Sequence, residues 1–256
     1  MNRATWTATA VAVLLAVLAV RADDPKDVKQ LIDRALEAAG GVERLTQARA
    51  YTFKQEMTTK SKKDPDGVVS KTTYYFQPPK KFRLEEESTT NGRTSRYIEV
   101  IDGTRGYTKR DGVSHPMNAK AAGQTREVQQ GFGYKFVLNL RDSAATPTAL
   151  GESKIDGRTV FGIALARKAG RTGEERKLYF DAETNLLTKS DHTIKLPTGG
   201  EASSEQTWGD HRKIDGIDVP HRVTHIIKTK EGQVIERVYS DFKFVEKHDS
   251  RLFDPP

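Results

Sequence analysis

The sequence predicts a mainly β protein built on a single curved antiparallel sheet. Three observations predict it. Six Asp-Gly or Asn-Gly pairs punctuate the chain, at Asp66, Asn91, Asp102, Asp111, Asp156 and Asp215. Such pairs take φ > 0 at successive positions, as tight hairpin turns require. Between them apolar and polar residues alternate, the period of a strand with one buried face. The last two strand-like stretches, 217–230 and 234–245, are long, and long neighbouring strands twist and curl toward a barrel or half-barrel.

The first 22 residues read as a secretory signal rather than as fold. Arg3 supplies the positive start, residues 8–20 form an uncharged apolar run, and Val20-Arg21-Ala22 offers a cleavage site after Ala22. The run is shorter than the ~20 residues that a membrane-spanning helix needs. Export places the remainder outside the cytoplasm. The chain has no cysteine, so neither a disulfide framework nor a thiol nucleophile is available, and residues 23–256 read as one domain large enough to hold a core without one.

The first element is a helix over 25–39. Pro25 suits its first turn, Val28, Leu31, Ile32, Ala35, Leu36 and Ala39 make one apolar stripe, and Gly40-Gly41 ends it. Strands follow from about residue 50, where Tyr51 and Phe53 share a face. Residues 60–67 form a polar turn. Further strands are expected at 70–77, 81–88, 93–101 and 105–109. The pattern breaks over 114–140, where His115-Pro116 opens a loop and Val128, Phe132, Phe136 and Leu140 recur at helical spacing. That inserted helix, about 125–140, reads as a crossover covering a sheet face or as a mobile lid. Strands resume at 159–167, 174–180, 186–196, 201–210, 217–230 and 234–245.

The net charge is +7 over the whole chain, and the signal removes Arg3 and Arg21 from it. Acids and bases are interspersed, as where Lys80, Lys81 and Arg83 precede Glu85, Glu86 and Glu87. A solvated surface is the simplest reading, and export without a long basic tract excludes nucleic acid as a partner. His221 and His225 would share a strand face ~13 Å apart, too far for one ion. The Glu85–Glu87 run alternates faces, which argues against a paired-carboxylate site. No G-x-S-x-G, S-x-x-K or H-E-x-x-H motif occurs. Gly103-x-x-Gly106 and Gly131-x-Gly133 lack the strand–helix context of a phosphate loop. Trp208 reads as a core anchor. The sequence therefore points to no catalytic residue, metal or cofactor.

Three ordered stretches carry a family resemblance. They are YYFQPPKKFRL at 74–84 followed by Ile101-Asp102-Gly103, LYFDAETNLLTK at 178–189, and WGDHRKIDGIDVPHRV at 208–223 leading to Leu252-Phe253. Together, over about residues 50–256, they resemble the outer-membrane lipoprotein-sorting (LolA-like) superfamily of periplasmic carriers. The resemblance implies an incomplete, half-open β-barrel with helices covering its concave face, and an apolar concavity that shields acyl chains or lipoprotein anchors without metal or nucleotide. Arg83 is the nearest candidate by context for the family's buried arginine, and that role is not carried over to it.

A carrier needs an extended apolar surface, since each CH₂ buried contributes ~0.8 kcal/mol. The alternating positions nominate Tyr51, Phe53, Phe82, Leu84, Ile98, Val100, Phe161, Ile163, Phe242 and Phe244 for the concave face, with Val238 in phase with the last two, and Phe132 and Phe136 for the lid. Expected partners are lipid or lipoprotein acyl chains, with transient contact to membrane surfaces or envelope proteins, for a monomer. The same residues would equally make an ordinary filled core. A non-catalytic structural or interaction protein of the envelope, or a hydrolase acting on envelope material, therefore stays open.

Overall fold

The computed structural model describes residues 27–90, 92–123, 135–141, 146–166, 176–196 and 199–256. The signal segment and Phe132 lie outside them. Thirteen strands form a single antiparallel sheet in the order β6-β5-β4-β3-β2-β1-β13-β12-β11-β10-β9-β8-β7. The chain begins at the centre with β1 (Ala50–Ser61), then steps outward through β2 (Val68–Gln77), β3 (Lys81–Thr90), β4 (Arg93–Asp102) and β5 (Arg105–Arg110) to β6 (Val113–Met117) at one edge. It crosses to the far edge and returns through β7 (Thr146–Ile155), β8 (Arg158–Ala166), β9 (Arg176–Asp181), β10 (Leu187–Lys195), β11 (Glu201–Ile214) and β12 (Ile217–Lys228). The last strand, β13 (Gln233–Val245), pairs with β1. The edge strands β6 and β7 are not neighbours, so the sheet stays open.

Short turns dictate this meander. Each of the six Asp-Gly or Asn-Gly pairs lies at the junction of consecutive strands. At Asp111-Gly112, Asp156-Gly157 and Asp215-Gly216 both residues have positive φ, from 47° to 93°, the geometry that matches strand twist in a two-residue hairpin. Two strands depart from the sequence reading. β6 holds His115-Pro116, expected as a loop, and β7 was not anticipated. Both are edge strands, where a proline costs no ladder bond on its free side and burial imposes little alternation.

Helix α1 (Val28–Ala38) starts at Asp27, whose carboxylate accepts the Lys29 N–H at 3.0 Å, and buries Leu31, Ile32, Ala35 and Leu36 against the sheet. Gly40 (φ 125°) and Gly41 (φ 82°) end it and lead into α2 (Val42–Gln47), which buries Leu45. The long crossover from β6 to β7 includes a helical turn at 119–123 and α3 (Lys135–Arg141), which buries Val137 and Leu140 beside α1 and α2. The sheet face under these helices is its inner face. Beyond β13 the chain crosses the outer face. His248 N–H donates to Gln77 Oε1 (3.1 Å), Arg83 donates to the Leu252 carbonyl (3.0 Å), and the Phe253 ring is buried beneath Lys81 Nζ at 5.2 Å.

Candidate functional site

Strand register builds the inner face as rows running across the sheet. The row nearest the helices reads Phe244, Tyr51, Phe76, Phe82, Ile101 and Gly106 from β13 to β5. The next holds Phe53, Tyr74, Leu84, Glu99 and Thr108. Phe242 joins these rows through a β-bulge. The register of β13 against β1 shifts between Thr52 and Lys54, and Asp241 takes φ 53° there.

The central rings of these rows lie nearly parallel, while Phe82 and Phe244 tilt against them. Tyr51 stacks on Phe76 at 4.7 Å and 11°, Phe53 on Phe242 at 4.7 Å and 11°, and Phe53 on Tyr74 at 4.8 Å and 24°. Tyr51 and Phe53 are each 1 % exposed. The result is an aromatic floor in one core with Leu31, Leu36 and Leu45 of the helices. Burial pushes the Tyr51 and Tyr239 hydroxyls far above their ordinary range.

The sequence-nominated residues divide. Tyr51, Phe53, Phe82, Phe161, Ile163 and Phe242 are buried on the inner face, and Leu84 and Phe244 are partly buried there. Phe161 and Ile163 sit on β8 opposite Phe180 and Leu178 of β9. Ile98 and Val100 do not join them. They pair with Glu85 and Arg83, so they face outward, while Glu99 and Ile101 face in. Val100 is nonetheless fully buried on the outer side, where Ser250–Phe253 packs over β3 and β4. Val238 also points outward, 46 % exposed, because the bulge at Asp241 reverses the alternation and turns Tyr239 inward. Phe136 lies in α3, and its side chain is outside the described set. Arg83 lies on the outer face, bound to Glu85 (2.7 Å) and to the C-terminal segment.

Sequence reasoning missed Tyr74 and Phe76 as floor residues. The Tyr74-Tyr75-Phe76 run hides which ring faces which way, and Tyr75 turns outward against His248. It also missed a polar half of the inner face. The third row is Tyr239, Gln55, Thr72, Glu86, Tyr97 and Arg110, and the fourth is Arg237, Met57, Ser70, Ser88 and Ser95. Gln55, Ser70 and Thr72 are each only 3 % exposed. Tyr97 O–H donates to Glu99 Oε2 at 2.9 Å, and Arg110 lies 5.1 Å over the Tyr97 ring. Burial raises the pKa of Tyr74, while Arg237, Thr72 and Gln55 pull it back.

On the outer face a cavity of about 470 Å³ spans β13 and β1 to β4. Its outward side chains pair across strands, Lys54 with Asp241 (2.8 Å), Lys71 with Glu56 (3.8 Å) and Arg96 with Glu87 (3.2 Å). Its walls are thus charged, unlike the floor.

The histidines form pairs rather than clusters. His221 Nδ1–H donates to the Val219 carbonyl (3.0 Å), and His211 Nδ1 meets Asp218 at 2.5 Å. His225 Nε2 meets Ser204 Oγ at 2.7 Å, and among the described residues no carboxylate hydrogen-bonds that imidazole. Among the described residues no three His, Asp or Glu side chains converge as an ion site. Burial, helped by Arg237 and Arg176, holds His225 below its ordinary 6.5. The unfolded chain therefore binds the extra proton below about pH 6.5 and the folded one resists it. Stability from this group is complete above pH 6.5 and falls as the pH drops through that value. The thermal midpoint is expected to fall between pH 7.5 and 5.5, by less in His225→Gln, as read by circular dichroism.

No family model and no curated relative matches the chain by sequence. Solved structures do match by shape. A LolA superfamily protein of Nitrosomonas europaea aligns over 88 % of this chain and 96 % of its own, at 14 % identity and TM-score 0.56. A protein from Vibrio parahaemolyticus described as an outer membrane lipoprotein-sorting domain aligns over 87 % and 97 %, at 12 % identity and TM-score 0.53. A DUF1329 family protein of Desulfovibrio piger aligns over 89 % and 97 %, at 14 % identity and TM-score 0.55. Over most of its length, therefore, this chain has the fold of the LolA superfamily.

Proposed function

We propose that this protein is an exported, non-catalytic carrier of the cell envelope. It works as a monomeric single-domain protein of the periplasm, released by cleavage after Ala22. It holds a lipid, an acyl chain or a lipoprotein anchor between the inner face and its helices. One observation carries this reading. The aromatic floor of Tyr51, Phe53, Phe76 and Phe242 shares one buried apolar core with helix residues such as Leu31 and Leu36. Dispersion and apolar burial are non-directional. An acyl chain sliding between floor and helix would replace one apolar contact with another and break no directional bond across that interface. Burial of its methylenes at ~0.8 kcal/mol each would drive the exchange. The lipoprotein-sorting description of the Vibrio parahaemolyticus neighbour supports the same class of cargo.

The test is extraction of the protein from its native envelope without detergent, followed by mass spectrometry of bound lipid. Copurified lipid in stoichiometric amount is the expected result. Protein free of lipid that also fails to bind a fluorescent fatty acid in vitro would overturn the reading. A second reading, an envelope interaction protein with a filled core, is favoured by one observation: the floor is covered, with Tyr51 and Phe53 almost wholly inaccessible. It requires that no chain-like ligand alters the thermal midpoint.

A further inference from the structure

We infer that the inner face holds a second, polar subsite beside the aromatic floor, formed by Gln55, Ser70, Thr72, Glu99 and Arg237, which takes the hydroxyl-rich head group of an amphiphile, a glycan or polyol. The inference rests on the carrier reading and names the class of cargo that reading leaves open.

The geometry is continuous with the floor. Successive inner-face rows lie two residues apart along each strand, ~7 Å at strand rise. Gln55 and Thr72 are therefore one row beyond Phe53 and Tyr74, and Ser70 and Arg237 one row further. A chain lying on the floor would deliver its polar end there, ~7–14 Å from Phe53.

The chemistry selects the head group. Gln55 Oε1, Ser70 Oγ and Glu99 Oε1 are buried and have no hydrogen-bond partner among the described residues. Gln55 and Ser70 are 97 % buried, so bulk water does not serve them. A buried polar atom left unpaired destabilises the fold until a partner arrives. Two of the three are oxygens that can only accept, so the ligand must bring O–H or N–H donors. Arg237 forms no ion pair among the described residues and offers donors in return. Glu86 and Glu99 on the same face disfavour an anionic head group. A polyol, donor and acceptor at every carbon, meets these demands. A phosphocholine has no O–H or N–H to give.

Three amphiphiles sharing a dodecyl tail test this on the full-length mature protein, titrated calorimetrically below their micelle thresholds: the maltoside, the phosphocholine and the octaethylene glycol ether. The maltoside is expected to bind about tenfold more tightly than the ether. That margin is expected to fall to about threefold or less in Gln55→Leu and in Thr72→Val. Equal affinity for all three amphiphiles overturns the polar subsite and leaves the carrier reading intact. Preference for the phosphocholine overturns the hydroxyl-rich assignment. Binding of none overturns the carrier reading itself. Retention of the full margin in a folded variant also overturns the subsite, and Thr72→Val, which keeps side-chain volume, decides the matter if Gln55→Leu fails to fold.

Discussion

Replacing Phe53 with alanine is expected to lower the unfolding free energy by about 3–5 kcal/mol, the range for deleting a buried phenylalanine. The ring stacks on Phe242 at 4.7 Å and on Tyr74 at 4.8 Å, and Tyr239 meets it edge-on at 5.4 Å. These neighbours belong to the two strands flanking β1 in a hydrogen-bonded ladder that cannot collapse inward to fill the void. For a domain of this size each kcal/mol moves the thermal midpoint by about 2–4 °C, so a drop of roughly 10 °C is expected by circular dichroism. The cavity would also be apolar and would stay dry. Dodecanol is expected to restore part of the loss in Phe53→Ala. A drop of under about 1 kcal/mol would mean that the ring lies in open space and that the floor is not packed against the helices.

Gly40→Ala is expected to cost about 3 kcal/mol for a different reason. Gly40 adopts φ 125° at the end of α1, where L side chains are rarely found, and a Cβ there would stand 2.7 Å from the Gly216 carbonyl oxygen. That oxygen and the Ile217 Cα, 3.0 Å from the same point, are both backbone, so neither can rotate away. The positive φ alone accounts for ~1–3 kcal/mol, and the overlap adds to it. This contact seats the helix end on the β11–β12 hairpin, which the Asp218 N–H to Ala39 carbonyl bond (2.9 Å) also holds. The substitution therefore acts on the joint between helices and sheet. Gly216→Asn serves as the control. Its φ of 79° suits asparagine better than other residues, and the atoms nearest its Cβ would be those of the flexible Arg44 side chain at 3.1–3.3 Å. Comparable losses in the two variants would show that the joint is looser than the geometry indicates.

Much of this architecture is legible in the chain. The apolar stripe from Leu31 to Leu36, closed by Gly40-Gly41, marks α1. The Asp-Gly and Asn-Gly pairs mark six hairpins, and the gap after residue 114 marks the crossover that must pass over the sheet. One misplacement was also avoidable. Thr90 faces Arg93 across the two residues between β3 and β4, so even-numbered residues of β3 oppose odd-numbered residues of β4. Phe82 and Leu84 on the inner face then require Glu99 and Ile101 beside them, which sends Ile98 and Val100 outward. The apolar character of Ile98 and Val100 pointed inward, whereas the turn arithmetic did not.

The polar half of the inner face illustrates the opposite case. Gln55, Thr72 and Ser70 carry no sequence signal of burial, because polarity is the usual sign of exposure. Only register, which sums contributions from neighbouring strands, places them in two adjacent buried rows.

By itself the sequence determined what is local: where the first helix lies, where the chain reverses, and that one face of most strands is apolar. These follow from backbone preferences and side-chain period, which act within a few residues. The tertiary structure alone decided which face of each strand looks toward the helices and where aromatic rows give way to polar ones. A single extra residue at Asp241 exchanges Val238 for Tyr239 on the inner face. A bulge costs little locally and leaves almost no mark in composition, yet it inverts every side chain on one side of it, so only the pairing of β13 with β1 reveals it.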